Sequence, residues 1–310
     1  MNPFRGVVIP MFTPLAADGR IDRTALGRYV GFLARGGVDA LFALSSTGEF
    51  CAMPWSMQCE MVEATLEAAR GRLPVCAGVS TQCLQDSIER ARTLAAMGVD
   101  AVVSLPPFYF RTAQEEMVEF FSRLADASPV PLLVYNMPFR TQHNLEIEAV
   151  YRLRAHGQII GLKDSVNDLE RTRLLSRELA GQCEFTYLHG NERLTLEAAS
   201  LGAHGCVPSI ANLAPAFFCR AFRDAASGAP REDDQRRIDD LMAAFGLFEE
   251  TPQQSTTLRL MALKAVLECL GVMSAHMAQL APPLSDAWRA KARVFVESLL
   301  AEEIAEAPRA

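Results

Sequence analysis

Short apolar runs rich in β-branched residues alternate along this chain with longer segments whose apolar positions recur every three or four residues. The runs are Gly6 to Phe12, Val38 to Leu44, Leu73 to Val79, Val99 to Ser104, Val130 to Tyr135, Gln158 to Lys163, Cys183 to Leu188 and Gly205 to Pro208. Between them, segments such as Asp22 to Arg35 and Ser56 to Arg70 carry the helical period over a usual globular length of about 12 to 18 residues. The alternation predicts parallel strands joined by helical crossovers. An internal echo supports equivalent units: Gly37-Val38-Asp39-Ala40-Leu41 returns as Gly98-Val99-Asp100-Ala101-Val102, and more loosely as Gly202-Ala203-His204-Gly205-Cys206. In each case the glycine would end a helix and the following residues would open a strand. Eight such units close into an α/β (β/α)8 TIM barrel, with a doubly wound open sheet as the structural alternative.

After about Gly228 the pattern becomes helical only, through Asp233 to Glu249, Ser255 to Leu270 and Ser285 to Glu303, punctuated by Pro230, Pro252 and Pro282-Pro283. Residues 1–228 are therefore expected to form the barrel and 229–310 a helical extension packed on or beside it, fraying over Ala301 to Ala310. No linker or low-complexity tract marks an independent second domain.

Composition narrows the function class. The 310 residues suit one barrel plus an extension, and half of them are hydrophobic. A net charge of −7 leaves no basic footprint for nucleic acid or an anionic membrane, and no apolar run approaches the span of a bilayer. A small molecule is the expected partner. Prolines at 3, 10 and 14 interrupt the N-terminus where a signal peptide needs an unbroken apolar core, so a cytoplasmic protein is expected. The eight cysteines form no Cys-x-x-Cys pair and read as reduced core thiols; the five histidines show no metal-ligand spacing.

In such a barrel the working residues stand at the carboxyl ends of the strands. The sixth run ends in Gly161-Leu162-Lys163-Asp164. Lysine is scarce: among 30 basic residues only Lys163, Lys264 and Lys291 are lysines. An amine can lose its proton and attack a carbonyl, which a guanidinium cannot, so Lys163 is a candidate nucleophile. The bland reading is a strand-end lysine paired with Asp164. The second run leads into Ser45-Ser46-Thr47-Gly48-Glu49, a hydroxyl loop able to hold a carboxylate or phosphate, or simply to cap a helix. The fourth leads into Pro106-Pro107-Phe108-Tyr109-Phe110, and the fifth into Tyr135-Asn136-Met137-Pro138 with Arg140 close behind.

Over essentially its whole length the chain resembles the dihydrodipicolinate synthase and N-acetylneuraminate lyase family, the pyruvate-dependent class I aldolases. The resemblance rests on Ser46-Thr47-Gly48-Glu49, Tyr135-Asn136-Met137-Pro138 and Gly161-Leu162-Lys163-Asp164 in this order, with Tyr109 between the first two. It implies that Lys163 forms a Schiff base and Tyr135 shuttles the proton. Ser46 would join the relay and, with Thr47, bind the carboxylate of pyruvate or another 2-oxo acid. Tyr109 would complete the relay from a neighbouring subunit of a homotetramer or homodimer. Arg140 stands where synthase-like members receive the aldehyde's carboxylate, and Gly190 and Val207 match positions lining the pyruvate pocket. Glu49 would fix the loop. The implied reaction condenses pyruvate with an aldehyde, or cleaves in reverse, and needs no metal or organic cofactor.

Departures bear on the substrate. Ser45 stands where the synthase usually has glycine, Phe139 replaces a small polar residue and Gln142 a glycine. The positions of the lysine-inhibitor pocket of feedback-regulated members appear as Phe50, Cys51, Trp55, Gln58, Gln82, Asp86 and Phe108, with most of the polar ligands missing, so no lysine feedback is expected. A 2-keto-3-deoxy sugar-acid aldolase or dehydratase, or an N-acetylneuraminate lyase-like enzyme, is the alternative to the synthase. A non-catalytic 2-oxo-acid sensor on the same scaffold is the reading outside enzymes, and it has no use for both Lys163 and Tyr135.

Overall fold

The computed structural model describes residues 2–248 and 255–301. Eight parallel strands close into a barrel in sequence order: β1 Gly6–Pro10, β2 Ala40–Ala43, β3 Val75–Gly78, β4 Ala101–Ser104, β5 Leu132–Asn136, β6 Ile159–Asp164, β7 Thr186–His189 and β8 Gly205–Cys206. Each lies within three residues of its expected limits, and the closed order removes the open-sheet alternative. Residues on both faces of the strands are buried, as crossovers covering a parallel sheet require. The crossover helices are α1 Arg23–Arg35, α2 Trp55–Ala69, α3 Leu84–Met97, α4 Gln114–Ala127, the single turn α5 Pro138–Thr141, α6 Ile147–Arg154, α7 Leu169–Leu179, α8 Thr195–Ser200 and α9 Pro215–Ala226.

Local chemistry sets the ends of these elements. Asp22 caps α1 by accepting from Ala25 N, Asp168 caps α7 by accepting from Arg171 N, and Gly98 ends α3 at a φ of 101°, open to a residue without Cβ. The sequence echo has a physical meaning at this end of the barrel. Asp39 accepts from Val7 N at 2.7 Å, Asp100 from Val75 N at 2.8 Å, and His204 from Tyr187 N at 3.0 Å. Each repeat thus places one side-chain acceptor where a strand begins, on a backbone N–H of the preceding strand.

The helical region that follows holds α10 Asp234–Met242, a 3-10 turn at Ala243–Gly246, α11 Thr256–Cys269 and α12 Asp286–Leu299. Leu260 through Leu267 of α11 are all buried, so this helix is covered on every side rather than along one stripe. Phe248 stacks on Trp288 at 4.8 Å between centroids, tying the turn region to α12. The expected helix ends at Glu249 and Glu303, and the expected frayed terminus beyond residue 301, lie outside the described residues.

The cysteine expectation needs correction. All eight are unpaired, but only Cys76, Cys206 and Cys219 are buried; Cys51, Cys83 and Cys183 are exposed and Cys59 and Cys269 partly covered. Cys51 sits in the 3-10 turn Phe50–Ala52, and Cys83 and Cys183 in the segments just before α3 and β7, outside the barrel core. Among the described residues no helix is long and apolar enough to cross a membrane, and no three His, Cys, Asp or Glu side chains group as a metal site.

Candidate active site

Tyr135 and Lys163 are partners in the ladder between β5 and β6, so both side chains project from one face of the sheet at the carboxyl end of their strands. Lys163 is 5% exposed. Its Nζ lies 4.0 Å from the centroid of the Tyr135 ring and 5.0 Å from that of Phe42, which meets Tyr135 edge-on. The Tyr135 hydroxyl donates to Met137 Sδ at 2.7 Å.

Alternation along β6 sends Asp164 to the opposite face. There its carboxylate accepts from Arg171 Nε at 2.7 Å and from Asn136 Nδ2 at 2.9 Å, an ion pair buried on both sides. The Lys163–Asp164 pair allowed by the sequence does not form. Burial pushes the Asp164 carboxyl up, and Arg171 and Asn136 pull it down. Beside it, His189 is enclosed with its Nε2 unpartnered, and burial lowers its pKa to about 4.

The hydroxyl loop leaves β2 through Leu44, a non-glycine residue at φ 55°. A Cβ on Gly78 would meet the Leu44 carbonyl oxygen at 2.3 Å, so the glycine in β3 makes room for this turn. Ser45 Oγ accepts from Gly48 N at 3.2 Å, and Thr13 Oγ1 donates to Gly48 O at 2.7 Å. Thr47 is buried and its hydroxyl shares a 2.8 Å hydrogen bond with Ser209. Ser46, half-buried, stays at the surface of the cavity.

These residues surround a cavity of about 140 Å³. Of the residues expected from the sequence, Ser46, Thr47, Tyr135, Arg140, Lys163, Gly190 and Val207 all line it. A Cβ at Gly190 would sit 2.1 Å from Ser165 Oγ, so a larger residue there requires the serine hydroxyl to turn away. Partial desolvation lowers the pKa of Arg140, with Tyr135 opposing and Arg259 adding to the shift. An outer chamber of about 370 Å³ adjoins, sharing Ser46, Arg140 and Thr256 and walled mainly by Phe50, Cys51, Ala52, Leu105 and Phe108. Tyr109 lines neither. It is 78% exposed, its ring edge-on to Phe110, which is 77% exposed. The packing reading of that aromatic cluster fails for these two rings within one chain.

Among the lining residues that sequence reading missed are Glu192, Ser209, Thr256 and Arg259. Glu192 was within reach, because it stands three residues past the end of β7, where such barrels carry their chemistry. Its Oε1 accepts from Ser209 N at 3.0 Å. Burial raises its pKa, against backbone N–H groups of Ser209 and Ile210 and the charge of Lys163. Thr256 and Arg259 come from α11, and nothing in a helical period tells which of its residues would face a distant barrel mouth.

Together, a closed parallel barrel and a buried lysine against a tyrosine at its carboxyl end define a lysine-bearing (β/α)8 enzyme. The chain belongs to the dihydrodipicolinate synthetase family, whose model matches residues 3–299. It is accordingly a lyase, an aldolase of the class I, Schiff-base kind. It is 32% identical over 238 residues to the 4-hydroxy-tetrahydrodipicolinate synthase of Thioalkalivibrio sulfidiphilus (strain HL-EbGR7), covering 76% of this chain and 80% of that one. Dihydrodipicolinate synthase from Bacteroides thetaiotaomicron superposes with a TM-score of 0.87 at 32% identity, over 96% of this chain and all of that one. YagE from E. coli K12, solved in complex with pyruvate, shares the fold with a TM-score of 0.86 at 22% identity, over 96% of this chain and 99% of that one.

Proposed function

We propose that the enzyme condenses pyruvate with an aldehyde, or runs the reverse cleavage, through a Schiff base on Lys163. The observation that carries this reading is the buried amine 4.0 Å from the Tyr135 ring, free of the neighbouring carboxylate that would have held it as a salt bridge. Nζ adds to the 2-oxo carbon, water leaves, and the iminium draws electrons so that the adjacent methyl loses a proton to give an enamine. The enamine carbon then attacks the aldehyde. Tyr135 carries protons to and from the departing oxygen, with Ser46 as the next hydroxyl in the path. Thr47 and Ser46 hold the pyruvate carboxylate against Gly190 and Val207, and Arg140 at the rim takes an anionic group of the aldehyde.

Tyr109 enters the relay from a second copy of the chain in a homodimer or homotetramer; its exposure beside the outer chamber supports this. All eight cysteines are unpaired, which supports action in the cytoplasm. Residues 1–228 supply the strand-end groups, and the extension 229–310 walls the cavity through Thr256 and Arg259.

Glu192 favours a second reading for the aldehyde partner. A carboxyl group in the cavity wall suits hydroxyl groups of a 2-keto-3-deoxy sugar acid, and a carboxyl whose pKa burial raises is better placed to give a proton to a leaving hydroxide, the dehydratase variant. Intact-mass spectrometry after pyruvate and borohydride tests the common step. The expected result is one reduced pyruvate adduct on the wild type and none on Lys163→Ala or Lys163→Arg. A folded wild type without adduct from pyruvate or from 2-keto-3-deoxy acids, or an adduct that persists in Lys163→Ala, overturns the assignment of the Schiff base to Lys163.

A further inference from the structure

Lys264 lies at the centre of α11 with no exposed surface, and neither does its partner Glu49 have any. The ammonium donates to Glu49 Oε1 at 2.7 Å and to the His276 carbonyl at 2.6 Å. The other carboxylate oxygen, Oε2, accepts from the backbone N–H groups of Ala278 and Gln279, each at 2.9 Å. Every bond Glu49 makes through its side chain therefore reaches into the helical region more than 200 residues away. Its backbone stands at φ 60°, a left-handed conformation that a glutamate keeps only under restraint.

Glu49 follows directly on Ser46, Thr47 and Gly48. On the inner side the loop is pinned by Thr13 and Ser45, which hold Gly48. On the outer side Glu49 is the anchor. Well-packed apolar side chains would hold α11 in place as firmly as a buried ion pair, whose desolvation offsets most of its attraction. What an ion pair adds is direction. It fixes one carboxylate, and through it the left-handed residue that ends the hydroxyl loop.

We propose that Lys264 is a positioning residue for catalysis, acting through Glu49 to hold the Ser46 and Thr47 hydroxyls where they meet the carboxylate of the 2-oxo acid. This rests on the reading of those hydroxyls as the carboxylate site. The coupling is reciprocal: if the anchored loop improves carboxylate binding, a bound 2-oxo acid tightens the anchor by the same factor.

The test has two arms. In the first, Glu49→Gln combined with Lys264→Met leaves no unpaired charge in the core. The expected result is a KM for the 2-oxo acid raised at least tenfold, with kcat within threefold of wild type. Wild-type KM in the folded double variant, with kcat lowered only in proportion to the folded fraction, overturns the proposal. The second arm needs no substitution. Hydrogen exchange at the Ala278 and Gln279 amides of the wild type is followed before and after borohydride-trapped loading with pyruvate. At least tenfold slower exchange is expected after loading, and unchanged exchange at full loading overturns the proposal whether or not the double variant folds. Absence of any adduct is a different failure, that of the Schiff-base reading, and it is seen in the same mass spectrum.

Discussion

A Schiff base on Lys163, as proposed above, needs a group that moves protons at its side, and the hydroxyl proposed for that role belongs to Tyr135. Its present partner is a thioether sulfur, a weak acceptor that an incoming oxygen displaces at little cost. Tyr135→Phe keeps the ring packed against Lys163 and Phe42 and removes the proton path alone. We expect kcat to fall by about 10² to 10⁴, with the borohydride-trapped adduct still forming, more slowly; stopped-quench trapping and steady-state assay separate the two. His189 gives a different signal at the same scale. Its imidazole is neutral in the fold because burial lowers its pKa to about 4 from the ordinary 6.5. The unfolded chain takes up the proton first, so stability is full above pH 6.5 and falls as pH drops through that window to about 4. The contribution is about 3 kcal/mol in all. Chemical denaturation between pH 7.5 and 4.5 should show a flatter profile for His189→Gln than for the wild type.

The elements were legible to the extent that each one's reason is local. Strands β1 to β8 appear as apolar runs because parallel strands are buried on both faces, and α1 and α3 end where glycines allow it. The Gly-Val-Asp echo marked equivalent strand starts, although its use as a backbone clamp needed the pairing of neighbours to be seen. Lys163 stood out by its rarity and its place at a strand end. Lys264 had the same rarity and lay in the run Met261 to Leu267, but its partner is 215 residues away, and distance in sequence hides an ion pair. Thr256 and Arg259 were hidden for the related reason that α11 is apolar all round and carries no stripe to orient it. Within β6, Gly161 is the tightest point next to the lysine. A Cβ there would stand 2.4 Å from Thr186 Oγ1 and 2.6 Å from the Thr186 carbonyl oxygen. Gly161→Ala is expected to push β6 from β7, lower stability by about 1–3 kcal/mol in denaturant titration, and slow adduct formation by displacing Lys163.

At the scale of the whole molecule, the positions that would form a lysine-inhibitor site are already committed. Gln58 donates to the carbonyls of Phe50 and Met53, Gln82 accepts from the N–H groups of Phe108 and Tyr109, and Asp86 pairs with Arg90, which lies over Trp55. None of these polar groups waits for an ammonium ligand. Isothermal titration with L-lysine is expected to show no saturable heat, and lysine is expected to leave the rate unchanged. The exposed rings of Tyr109, Phe110 and Phe139 stand at this same end. They had no reading as surface from the sequence alone, because an aromatic run looks the same whether it packs inward or waits for a second copy.

The seam of the barrel joins Gly6 to Gly205 and Val7 to Cys206, so the first strand made is also the last to find both neighbours. A ribosome delivers the chain from the N-terminus, and the sheet cannot close until about two-thirds of it has emerged. The hydroxyl loop waits longer still, since Glu49 has no counter-ion until Lys264 is made. A nascent chain thus carries Lys163 well before it carries a finished cavity, and the hydroxyl loop beside that amine gains its outer anchor only when synthesis is nearly complete.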